Sequence, residues 1–139
     1  MEPIKLSFVV DGDDFISAGE ASAATKTTLK KLGFPTKIVQ RVAIAMYEAE
    51  INMVIHAQGG TADVEITPEK IFVTMADRGP GIADVDLAMT EGYSTAPDDV
   101  RSLGFGAGMG LPNIKKYSDN LEIETRLGVG TTLKITINC

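Results

Sequence analysis

Residues 48–56 read EAEINMVIH, and the rest of the chain is legible outward from them. On a helix, Glu48, Asn52 and His56 fall four residues apart and form one polar line. Beside it, Val42, Ala45, Ala49 and Met53 form an apolar stripe of helical spacing. A carboxylate and a carboxamide bordering a core-facing stripe need partners, because burying an unpaired charge is costly. Glu50 lies about 160° around the helix from Glu48 at 100° per residue, and is expected to face solvent.

This helix is predicted to start near Thr36 and to end at about Ala57, with Gln58-Gly59-Gly60 stopping it. Upstream, residues 4–10 (IKLSFVV) read as a strand, followed by a turn at Asp11–Asp14. From Phe15 to Leu32 the set Ala18, Ala21, Thr25, Leu29 and Leu32 has helical spacing, and Gly33 with Pro35 closes that helix. Downstream, Ala62–Thr67 and Lys70–Ala76 read as a hairpin turning at Pro68-Glu69. Residues 77 to about 110 are rich in Gly, Pro and Asp, with one short helical stretch around Asp84–Met89. A compact domain rarely carries a segment of this kind without a function, and an active-site lid is a common one. After Gly110 a helix runs to about Tyr117, and residues 120–126 and 131–137 alternate as two strands around Gly128-Val129-Gly130. The order β, α, α, β, β, lid, α, β, β predicts an α+β, two-layer sandwich on a mostly antiparallel sheet.

The 139 residues fit one domain, spanning 1–139, with a core of ordinary size. A formal net charge of -6 argues against nucleic-acid and anionic-membrane partners, which are held by basic surfaces. The single Cys139 can form no internal disulfide, which fits a reducing compartment, and no apolar run approaches a membrane span. A cytoplasmic location is expected.

Two glycine segments carry the functional signal. GFGAGMG at Gly104–Gly110 precedes a helix, where free amides bind anions and glycines let the backbone approach a phosphate. Read alone, it is either that or a flexible loop. It is not a Walker loop, since no Lys follows these glycines, and its GxGxGxG spacing after a lid is not a dinucleotide fingerprint. DRGPG at Asp77–Gly81 follows a strand directly. Its Asp either caps a Pro-Gly turn or accepts a hydrogen bond from an exocyclic amine, with Gly79 and Gly81 leaving room for a planar base.

Together the three segments resemble the Bergerat (GHKL) ATP-binding fold shared by gyrase, the 90-kDa heat-shock chaperone, sensor histidine kinases and MutL. The chain looks like the stand-alone serine/threonine kinases of the anti-sigma group (SpoIIAB, RsbW and RsbT). It is nearest to the RsbT switch-protein kinases, through DRGPGI, LAMTEGYST and GMGL. The resemblance implies ATP and Mg²⁺ as ligands and protein Ser/Thr phosphorylation as the activity. It matches Asn52 to the Mg²⁺ ligand, Glu48 to the general base and Asp77 to the adenine acceptor. Gly79 and Gly81 match the base pocket. Gly104, Gly106, Gly108, Gly110 and the Leu111 amide match the phosphate cradle, and Thr132 matches the threonine that completes the adenine contact.

Arg101 is the basic side chain within the lid proper, beyond DRGPG, either solvated or placed to reach the γ-phosphate on closure. Asp84 and Asp86 read as surface or cap residues, and His56 as a packed or supporting histidine. The partner implied is a small STAS-domain antagonist protein. A sigma factor or a phosphatase fits the alternative implied by the same family, an ATP-dependent anti-sigma factor that sequesters its partner with little kinase activity. Tyr93-Ser94-Thr95 in the lid looks more like the switch-kinase type. Homodimers are common in the anti-sigma group, and the sequence carries no feature that decides between one copy and two.

Overall fold

The computed structural model describes residues 3–11, 19–56, 59–79, 81–82, 89 and 110–139. Five strands and three helices are described: β1 (Ile4–Asp11), α1 (Glu20–Lys31), α2 (Thr36–His56), β2 (Gly59–Ile66), β3 (Lys70–Asp77), α3 (Gly110–Tyr117), β4 (Asn120–Arg126) and β5 (Gly130–Asn138). The strands form one sheet in the order β1-β2-β3-β5-β4, and every neighbouring pair is antiparallel. The helices pack on one face, giving the expected α+β sandwich.

Alternation along each strand builds the helix-facing side of this sheet. One apolar row crosses all five strands through the cross-strand pairs Leu6↔Val64, Val64↔Val73, Val73↔Ile135 and Ile135↔Leu121. Such opposed β-branched and aliphatic pairs are the unit of sheet stabilisation. The other face carries Lys5, Glu65, Glu124 and Lys134, with ion pairs at Lys5–Glu65 and Lys134–Glu124. Both pairs are exposed and contribute little to stability.

Helix α2 is the central helix, flanked by α1 and α3 and lying over the sheet. Its predicted stripe is the core: Val42, Ala45 and Ala49 are fully buried, and Met53 nearly so. Helix α1 ends in a Schellman motif, in which the Gly33 N–H donates to Lys30 O and the Phe34 N–H to Leu29 O. The β2–β3 turn is closed by the Thr67 N–H donating to Lys70 O at 2.9 Å. Two expectations shift here. Strand β2 begins at Gly59, because Gly59 and Gly60 pair with Asp11 and Val10 rather than merely stopping the helix. Leu32 is 45% exposed, at the C-cap one residue past the end of α1.

Glu50 is the clear correction. It is 2% exposed, not solvent-facing. Its Oε2 accepts the N–H of Gly19 at 2.8 Å and of Ala21 at 3.2 Å, and its Oε1 accepts that of Ser22 at 2.8 Å. These are the amides that a helix N-terminus leaves without intrahelical acceptors, and they carry the positive end of the α1 dipole. The stripe of Val42, Ala45, Ala49 and Met53 is one buried face of α2, and Glu50 lies to the side of it. The helix has a second, against α1, and the cost of burying the carboxylate there is offset by three charge-assisted bonds. Gly19 itself offers α1 no side-chain cap, so Glu50 caps the helix from across the interface.

At the far end of α2, Arg41 donates from Nε to Tyr117 O at 3.1 Å and from Nη2 to Asp119 at 3.0 Å, tying α2 to the end of α3. The same Asp119 oxygen accepts the Asn138 N–H at 2.6 Å. That amide, more than the Arg41 guanidinium, holds the Asp119 carboxyl below its ordinary value, against an opposing effect of burial. Among the described residues, no helix is long and apolar enough to cross a membrane.

Candidate active site

The C-terminal half of α2 presents Glu48 and Asn52 one turn apart, both half-buried. They share a face because four residues advance an α-helix by little more than one turn. Glu48 Oε1 accepts a hydrogen bond from Asn113 Nδ2 at 3.4 Å, so α3 borders the polar line. Leu111 and Ile114 anchor α3 in the core. The Leu111 N–H and that of Gly110 fall among the first four amides of α3, which have no acceptor within the helix. An anion is favoured at such an end.

Asp77 closes β3 and organises the second half of the site. Its Oδ1 accepts the Gly79 N–H at 2.9 Å, bending the chain into the DRGPG turn, and the Thr131 N–H of β5 at 3.0 Å. Among the described residues, no donor reaches Oδ2 of Asp77. The backbone is tight on both sides. A Cβ at Gly60 would overlap the Ala76 carbonyl oxygen, and one at Gly130 would overlap that of Asp77. Gly81 has φ of 80° and lies against Arg126, where a side chain would be strained and crowded. The turn is pinned further by the Ile82 N–H donating to Thr125 Oγ1 at 2.8 Å, and by that hydroxyl lying 2.9 Å from Thr131 Oγ1. Met53, the neighbour of Asn52, reaches Gly60 opposite Asp77 in the ladder, so α2 and the Asp77 turn adjoin.

Glu48 thus meets α3 at the α2–α3 junction, with Asn52 one turn further along the same face of α2 and Gly110 and Leu111 opening α3, and Asp77, Gly79 and Gly81 form one pinned turn. Thr132 does not join them. Its side chain falls on the sheet's other face with Lys134 and Thr136, while Thr131, in phase with Leu133, Ile135 and Ile137, sits beside Asp77. Both threonines of GVGTT fit the motif by eye; only the two-residue period of β5 separates them. Sequence reasoning also missed Asn113 and Thr125, which become neighbours of the site only through the fold. Arg101, Gly104, Gly106, Gly108, Asp84, Asp86 and Tyr93-Ser94-Thr95 lie outside the described residues, and His56 is described only as the last residue of α2.

No cluster of three His, Cys, Asp or Glu side chains able to hold a metal occurs among the described residues. Asn52 supplies a hard carbonyl oxygen on the helix face it shares with Glu48. That donor fits a Mg²⁺ ion that takes its remaining ligands from water and phosphate, and does not fit a metal caged by protein.

Residues 15–137 match the model of the histidine kinase-like ATPase domain. The chain is 28% identical over 113 residues to the serine/threonine-protein kinase RsbT of Bacillus subtilis, covering 78% of this chain and 79% of that protein. It is 33% identical over 100 residues to the anti-sigma F factor of Caldanaerobacter subterraneus, covering 68% and 66% of the two chains. With the anti-sigma F factor of Clostridium novyi it shares 31% identity over 119 residues, 81% of this chain and 80% of that one.

Proposed function

Because the chain belongs to the histidine kinase-like ATPase domain family, we propose that it is an ATP-dependent protein serine/threonine kinase of the switch type. Its substrate on this reading is a small STAS-domain antagonist protein in a bacterial partner-switching pathway. The observation that carries the reading is the α2–α3 junction, where Glu48, one turn from Asn52 on the same helix face, meets Asn113 in the first turn of α3.

Each residue then has a chemical task. Asp77 accepts the exocyclic amine of adenine on Oδ2, while Oδ1 stays bonded to the turn; Thr131, in place of Thr132, completes that contact. Gly79 and Gly81 keep the backbone clear of the base. The Gly110 and Leu111 amides receive phosphate oxygens, with Gly104, Gly106 and Gly108 extending the cradle and Arg101 closing on the γ-phosphate. Asn52 would hold Mg²⁺ through its carbonyl oxygen, and the ion supplies neutralisation of phosphate charge. Glu48 accepts the proton of the attacking hydroxyl as its oxygen bonds to the γ-phosphorus and the bond to ADP breaks.

A second reading is a partner-sequestering module that uses ATP to hold a sigma factor, favoured by relatives named anti-sigma F factor. The test is transfer of labelled γ-phosphate to a STAS-domain protein encoded beside this chain. The kinase reading expects transfer that falls by about 10²–10⁴ in Glu48→Ala. Undiminished transfer removes the role given to Glu48. Tight sigma-factor capture with no transfer supports the second reading, and no ATP binding overturns both.

A further inference from the structure

We propose that Asn113 is a positioning residue for Glu48, setting the direction of its carboxylate from the helix that begins at the phosphate end. The kinetic part rests on the reading of Glu48 as the base; the contact does not. Asn113 follows Gly110 by three residues, on the flank of α3 that meets α2, between buried Leu111 and Ile114 on one side and exposed Lys115 and Lys116 on the other. Its Nδ2 lies 3.4 Å from Glu48 Oε1. An ionised carboxylate only accepts, so the carboxamide must turn its NH₂ group toward Glu48 and its oxygen away. The distance is at the long end for a hydrogen bond, which suits a contact that orients a side chain without immobilising it.

The consequence follows from how the carboxylate divides its lone pairs. Asn113 occupies Oε1 and leaves Oε2 to take the proton of an incoming hydroxyl. A glutamate carries three rotatable bonds, and a base that must be ordered at each turnover loses the advantage of alignment. The partner that orders this one sits on α3, whose first amides are the candidate phosphate donors. Placement of phosphate and placement of base are therefore set by one short helix.

Two measurements test this. In ¹H–¹⁵N spectra the side-chain amide pair of Asn113 is expected to shift in Glu48→Gln, where the carboxylate acceptor is gone. For transfer, Asn113→Ala is expected to lower kcat roughly ten-fold with the KM for ATP nearly unchanged. Asn113→Asp keeps the shape, loses the donor and adds a like charge, so its loss is expected to be larger. In the Glu48→Gln background Asn113→Ala should cost nothing further, the signature of two groups acting as one. An unmoved Asn113 amide pair overturns the inference, as does full transfer in both Asn113 variants or a purely additive double variant. Should Asn113→Ala fail to fold, the spectral comparison still decides, because it leaves Asn113 in place. If Glu48→Gln transfers normally, the base assignment fails, and the amide shift still reports whether the contact exists.

Discussion

Two carboxylates sit two residues apart on α2 and face different neighbours. Glu50 points at α1 and is 2% exposed, with three backbone N–H groups of 2.8–3.2 Å on its two oxygens. Glu48 points at α3, is half-buried, and has one amide donor at 3.4 Å among the described residues. On the kinase reading, one helix is scaffold and reagent at once. A carboxylate with donors on both oxygens, shut away from solvent, has no open oxygen to give and holds two helices together. A carboxylate with one light contact keeps an open oxygen, and that is what proton transfer requires.

Substitution at Glu48 separates the two carboxylates most. Glu48→Ala is expected to lower transfer by about 10²–10⁴ while moving stability by less than about 1 kcal/mol, since its partner Asn113 can turn to water. Paired transfer assays and urea titrations check both halves. Glu50→Ala should do the reverse and lose roughly 2–4 kcal/mol of unfolding free energy, because it strands three amides in a buried interface. The measurement is the urea midpoint. Glu50→Gln sharpens the point: it keeps the volume but turns one acceptor into a donor facing N–H groups, so its midpoint should lie nearer that of Glu50→Ala than that of the unaltered chain.

A third carboxylate gives the smallest effect. Asp119 accepts the Asn138 N–H and the Arg41 guanidinium, and its pKa lies below the ordinary 3.8. A lowered carboxylate pKa in the folded state contributes stability above about pH 3.8 that is lost as pH falls through the folded value. Melting temperature measured across that acid window should therefore fall less steeply in Asp119→Asn. The effect is modest, because the side chain is about one-third exposed.

What could be read beforehand follows physical lines. The α2 stripe of Val42, Ala45, Ala49 and Met53 was legible because a helix facing a sheet writes its period into the sequence. The strands were legible for the same reason, and DRGPG announced its turn. Glu50 was not, because the wheel shows angles and not the neighbours at each angle. Thr131 was readable in principle, in phase with Leu133 and Ile135, but the motif offered two adjacent threonines and only β5's inward phase selects one. Asn113 and Thr125 are 65 and 43 residues from their partners Glu48 and Ile82, and no local pattern joins such distances.

On the kinase reading Glu48, and not its neighbour on the same helix, performs the chemistry. The most direct measurement is single-turnover transfer of γ-phosphate to the STAS-domain protein by Glu48→Gln, normalised to the ATP that variant binds. The prediction is a folded protein that binds ATP and transfers at least about a hundred-fold more slowly; transfer at the unaltered rate would contradict it.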